Sequence, residues 1–219
     1  MAGIFSEDSK LIGFLTGLFD ILCVGFFWVI ASAPLITIGA STTATYYTVV
    51  KGIRRKRGYL WKNFLTSFKM NFLPATALWI ASLLLDGLFV FNIIFAHNQM
   101  DGTMAMVLTV IYMVILAVLL ITQMYLFPVL SRFKLPLKEI VKTSFFLGFK
   151  HLPVSIICIL IFAANVASIY VLMFAYPLGM IFVGSVFNWL YSLPMERVLK
   201  KYVPAYDEDD HTNDQWYAE

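Results

Sequence analysis

The chain is short of charge, cysteine and histidine, and each shortage excludes something. Of its 219 residues only 13% are charged, while 60% are apolar. A soluble domain of this length needs many more charges to cover its surface. The two cysteines, Cys23 and Cys158, both sit inside apolar runs, which rules out a disulfide framework and reads as small apolar filling. The three histidines, His97, His151 and His211, are too dispersed for a metal site, and no H-x-x-x-H or C-x-x-C spacing accompanies them. There is no Gly-rich nucleotide loop, no nucleophile elbow and no Ser/His/Asp signature. No catalytic residue, metal ligand or cofactor is therefore assigned, the chain is not read as an enzyme, and nucleic acid is not an expected partner. The N-terminus, MAGIFSEDSK, is acidic ahead of the first apolar run and lacks an A-x-A-like site, so a cleaved signal peptide is not expected.

What the chain does have is a series of long apolar runs, each of spanning length. They predict an all-α, polytopic transmembrane bundle over residues 1–203. Leu11 to Ala33 is the first run, interrupted only by Asp20. Its Gly13 and Gly17 form a G-x-x-x-G pair that Asp20 continues, a face expected to pack against protein. Ile36 to Gly52 follows Pro34 and is ambiguous: its 17 residues reach about 25 Å, barely enough to cross. Leu60 to Phe72 reads as an amphipathic interfacial connector, with Trp61, Phe64, Leu65, Phe68 and Phe72 at helical spacing. Leu73 to Ala96 and Thr103 to Ser131 are the next runs, joined by a short polar turn. A second basic connector covers 137–150. Leu152 to Met173 and Leu178 to Leu193 then form a last pair, and the acidic stretch 204–219 is expected to be a mobile cytoplasmic tail.

A weak internal repeat accompanies this division. Thr66-Ser67-Phe68 precedes Leu73-Pro74 as Thr143-Ser144-Phe145 precedes Leu152-Pro153, and Pro34-Leu35 echoes Pro177-Leu178. The favoured arrangement is six spanning helices as three hairpins; the alternative is five spans plus a re-entrant or interfacial segment at 36–52. Lysine and arginine set the orientation: Lys51 to Lys69 carries seven, Arg132 to Lys150 five and Arg197 to Lys201 three, while the turns at 97–102 and 174–177 carry none. Those connectors and the C-terminus are expected on the cytoplasmic side of the membrane. Six spans put the N-terminus inside too; five put it outside.

The segment Pro34-Leu35-Ile36-Thr37-Ile38-Gly39-Ala40, followed by Thr43-Ala44-x-Tyr46-Tyr47, with a basic stretch and then the Phe-rich Phe64 to Asn71, resembles the YesL-like family of small bacterial membrane proteins, also labelled domain of unknown function 624. Motif positions Pro34, Thr37, Gly39, Thr43 and Tyr47 carry the likeness. The resemblance implies a multi-pass protein encoded beside binding-protein-dependent carbohydrate importers. It implies no catalytic or binding residues, and its functional content is associational.

Asp20 and Asp86 are the carboxylates placed within predicted spans. A charged Asp there costs roughly 2.5–3.5 kcal/mol, so each must pair, protonate or face water. Asn165 and Asn188 join them as candidate in-span polar or partner-contact positions, most simply as interhelical hydrogen-bond formers. Arg54, Arg55, Lys56 and Arg57 either determine topology or meet anionic lipid head groups. The expected function is that of an accessory or scaffold component associated with an ABC-type carbohydrate importer. The alternative is a self-contained small transporter or channel using the in-span polar residues. Expected partners are the lipid bilayer and importer permeases or other membrane subunits; a homo-oligomer fits as well.

Overall fold

The structure is a computed structural model that describes residues 10–54, 59–100, 102–175 and 177–202. Every described element is helical: α1 (Lys10–Ser32), α2 (Ile38–Thr48), α3 (Leu60–Gln99), α4 (Gly102–Arg132), α5 (Leu137–Lys150), α6 (Leu152–Ala175) and α7 (Pro177–Leu199). A 3-10 turn at Leu35–Thr37 leads into α2, and a π-helical turn at Val49–Arg54 leads out of it. Among the described residues, three helices are long and apolar enough to cross a membrane: α1 from Leu15, α3 and α4. A fourth is reached if α5 and the described part of α6 count as one broken span. The exposed apolar side chains of α3 and α4, such as Leu84 (69%), Phe91 (63%) and Met106 (71%), form a surface that only lipid or protein can cover. This is an all-helical membrane protein.

The centre of the bundle is α2, the ambiguous segment of the sequence. Pro34 ends the helical path of α1 because it has no N–H to give, and its backbone is extended. From Gly39 to Val50 every residue except Thr42 is buried. Helices α1, α3, α4 and α7 all contact α2. A helix so rich in Ser and Thr can be enclosed because its hydroxyls bond back to its own carbonyls. Ser41 Oγ donates to Thr37 O (2.8 Å), Thr43 Oγ1 to Gly39 O (2.9 Å) and Thr48 Oγ1 to Ala44 O (2.7 Å).

The close approach of α2 to α3 rests on Gly39. A Cβ added there would lie 2.5 Å from Ala75 O and 2.7 Å from Trp79 Cβ, with Phe127 of α4 at 3.1 Å. At the other end, Gly52 faces Leu60 and Asn63. So α2 runs antiparallel to α3 along Leu60–Trp79. Trp79 Nε1 also donates to Leu35 O (3.0 Å), and Trp28 Nε1 to Thr42 Oγ1 (3.2 Å), which ties α1 and α3 to the same segment.

Of three sequence expectations about these segments, two take a different form. The connector at 60–72 is not a separate element, because α3 runs unbroken from Leu60 to Gln99 through Pro74. The connector at 137–150 is separate: α5 meets α6 at 100°. The repeat places the same Leu-Pro pair at both points, so the proline by itself does not decide between a straight and a bent path. At the second, Ser155 Oγ donates to Gly148 O (2.7 Å) and meets Tyr125 Oη at 3.0 Å, which holds the bend. Gly148 lets α5 lie on Ile121 of α4. The equivalent Thr76 on α3 has a buried hydroxyl with no hydrogen bond. Third, the Gly13/Gly17 face has no close neighbour among the described residues: none of them lies within 4 Å of a Cβ built at either position. The close contacts of α1 lie in its second half, where Val24 and Ser32 are buried and Phe27 stacks edge-on against Trp61 at 4.9 Å. The chain reverses between α3 and α4 at Gly102, whose φ of +78° suits glycine.

Candidate functional site

Where α2, α4 and α7 meet, a charged cluster is sealed from solvent. Arg132, the last residue of α4, and Glu196, near the end of α7, keep 3% and 1% of their side-chain surface. Arg132 Nη2 donates to Glu196 Oε2 (3.3 Å), and its Nε lies 3.3 Å from Oε1, an ion-pair contact without hydrogen-bond alignment. Tyr46 Oη, from the motif helix, donates to Glu196 Oε1 (2.9 Å). Both carboxylate oxygens are thus occupied. Around this core, Arg54 Nη1 donates to Ser192 O (2.9 Å), Tyr191 Oη donates to Met124 O, and the Tyr46 and Tyr191 rings meet edge-on at 6.5 Å.

The local sequence explains the placement. The π-helical turn widens the end of α2 and carries Arg54 to the carbonyl of Ser192. Pro128, within α4, leaves its own carbonyl to Ser131 Oγ (2.8 Å) one turn before Arg132. Charges taken so far out of water are stable only when paired and hydrogen-bonded, as these are. Chemically, the cluster joins three helices. A carboxylate held by an arginine and a tyrosine, with no surface open to a substrate, is not placed to exchange a proton with one.

The sequence-expected positions fall into three groups. Thr37 is buried and its hydroxyl donates to Ala31 O and to Pro34 O (2.7 Å), closing the turn between α1 and α2, while Pro34 itself is exposed. Gly39 and Thr43 face the α2 core, and Tyr47 is buried with Lys51 Nζ 5.5 Å from its ring centre. Asp86 accepts from Gln123 Nε2 (2.8 Å), a bond between α3 and α4. Asp20, Asn165 and Asn188 are half-buried on α1, α6 and α7. Arg54 belongs to the cluster; Arg55, Lys56 and Arg57 lie outside the described residues, as does the acidic tail.

Sequence reasoning missed Arg132 and Glu196, taking both as residues of cytoplasmic connectors. Their signal is their setting: Arg132 closes a long apolar run directly, and Glu196 follows Leu193-Pro194-Met195 at the end of another.

No curated protein and no solved structure matches the chain. Residues 21–93, about a third of the chain, match the family described as "Protein of unknown function, DUF624". The match covers the second half of α1, all of α2 and most of α3, the elements that the Pro34 to Tyr47 motif holds together. Over that third, with the motif residues seated at the centre of the bundle, the chain is similar to the DUF624 family.

Proposed function

We propose that the protein is a non-catalytic accessory or scaffold component of a membrane assembly, associated with an ABC-type carbohydrate importer in the bacterial cell membrane. The observation that carries the non-catalytic reading is the use made of the chemistry-bearing groups. Asp86 is bonded to Gln123, Glu196 to Arg132 and Tyr46, and three hydroxyls of α2 to its own carbonyls. The two carboxylates join helices, and the hydroxyls satisfy α2 itself. The importer association follows from the family resemblance and carries its associational weight. A mild-detergent pulldown of tagged protein from its native bacterium, followed by mass spectrometry, tests it. Stoichiometric recovery of importer permeases or their ATPase supports the reading, and recovery of the chain alone removes it.

The self-contained transporter is favoured by one feature, Asp86, an acid on a spanning helix. Transport of sugar by the purified protein in liposomes, lost on Asp86→Asn, would establish it in place of the accessory reading.

For the membrane arrangement, we infer five spans (α1, α3, α4, α6 and α7), with 38–54 as an enclosed segment on the cytoplasmic side, rather than six. The supporting observation is the pairing of α2 with Leu60–Trp79, a stretch whose Lys62 and Lys69 are exposed. If α2 crossed, these lysines would face hydrocarbon, at roughly 2.5–3.5 kcal/mol each near the centre. Five spans put the N-terminus outside. A Ser6→Cys variant should then react with a membrane-impermeant maleimide on intact cells, and protection until lysis would restore six.

A further inference from the structure

The second basic connector, α5, has two apolar faces, and only one is used. Ile140, Ser144, Leu147 and Gly148 are buried, against α4 in the case of Gly148. On the other side Phe145, Phe146 and Phe149 are 48%, 57% and 36% exposed, and they alternate with exposed lysines. The 100° bend into α6 lays α5 nearly in the membrane plane when α6 stands along the normal. An exposed aromatic face edged with lysine, on a helix in that plane, is the pattern of an interfacial helix.

At the bend the positive charges converge. His151 Nε2 lies 3.0 Å from Tyr202 Oη, which brings the end of α7 to the α5–α6 joint. Lys150 Nζ stands 5.1 Å from the ring centre of Tyr202 and 5.3 Å from that of Phe146. The charges of Lys150 and Lys201 both act on His151. The acids of these elements do not balance them: Glu196 is held by Arg132, and Glu139 stands about 16 Å away from Lys150 along α5. Like charges gathered this way repel unless an anion joins them.

We propose that the α5–α6 joint seats an anionic phospholipid, its phosphate on Lys150 and Lys201 and its chains along Phe146 and Phe149. The chain's own tail from Asp207 to Asp214 is acidic as well, but only a lipid also accounts for the exposed phenylalanines. The seat does not depend on the accessory reading, because it concerns the bilayer and not another subunit.

The test uses the full chain in detergent, with thermal unfolding followed during titration with dioleoyl phosphatidylglycerol or phosphatidylcholine of the same chains. A ligand of the folded state raises the midpoint in proportion to its binding. The glycerol lipid should raise it and the choline lipid should not. Lys150→Gln with Lys201→Gln should weaken the apparent affinity for phosphatidylglycerol roughly thirtyfold, while Lys62→Gln with Lys69→Gln, the same charge change elsewhere, should leave it within a few-fold. If the double glutamine variant does not fold, Lys150→Arg with Lys201→Arg keeps the charges and should keep the preference. Equal response to both lipids, equal loss in the distant pair, or loss in the arginine variant overturns the proposal. So does a preference that emerges only after truncation before Pro204, which makes the tail the native occupant.

Discussion

The sealed ion pair makes the sharpest prediction. In Glu196→Gln the Arg132 guanidinium stays buried at the junction of α2, α4 and α7 without its countercharge. Removing one member of such a pair costs about 3–5 kcal/mol, because the survivor keeps its desolvation penalty. Replacing both, as in Arg132→Met with Glu196→Leu, leaves nothing charged to strand and should fall between neutrality and a gain of about 1–4 kcal/mol. Tyr46→Phe removes a hydrogen bond to a charged group, about 1.5–3 kcal/mol. In a Cys23→Ser background the chain carries its own reporter: Cys158 is fully buried, so a thiol-reactive fluorophore reads its exposure on heating. For a chain of this length the single substitution should lower the midpoint by about 6–20 °C. The Glu196→Gln and Tyr46→Phe losses should be non-additive, since both act on one carboxylate. A Glu196→Gln midpoint equal to wild type, or a double apolar variant that falls further than either single one, would refute the reasoning.

Other substitutions separate what is packed from what is not. Gly39→Ala drives a methyl against Ala75 O and should cost at least the roughly 1–3 kcal/mol of core overpacking, whereas Gly13→Ala and Gly17→Ala, with no described atom within 4 Å, should be neutral or stabilise by up to about 1 kcal/mol through helix propensity. Asp86→Asn can keep a hydrogen bond to Gln123, while Asp86→Leu strands its amide; unfolding of the two variants should differ by about 1–3 kcal/mol, and equal midpoints would remove the bond from the account. Burial, then Lys201 and Lys150, hold the His151 pKa below its usual 6.5. The folded state therefore binds the proton less readily than the unfolded one, and stability present above pH 6.5 declines as pH falls through the folded value. Hydrogen-exchange protection factors at 199–202, which take out the intrinsic fall of the exchange rate with pH, should decrease from pH 7 to 5 in wild type and not in His151→Gln.

The membrane class and the helical segments were legible in the sequence because they follow from local quantities: run length, scarcity of charge, the helical spacing of Trp61, Phe64 and Phe68, and the breaks at Pro34 and Pro177. The motif was legible as a motif. Its meaning was not, since Gly39 is required by the backbone of Ala75 and Tyr46 by a carboxylate 150 residues away. The same limit misplaced Arg132 and Glu196, whose charges read as water-facing until three helices close over them. It also assigned the Gly13/Gly17 face a neighbour that the described bundle does not supply. The repeat shows the division most directly. An identical Leu-Pro pair leaves α3 continuous and turns α5 into α6 by 100°. The two places differ in their hydroxyls: Ser155 bonds Gly148 O and Tyr125 Oη at the bend, while the buried Thr76 hydroxyl has no hydrogen bond. Sequence by itself determined that these helices form and that they belong in a bilayer. Tertiary structure decided which polar groups meet, because pairing a buried charge or filling a glycine's space depends on residues that only the fold brings within a few ångströms.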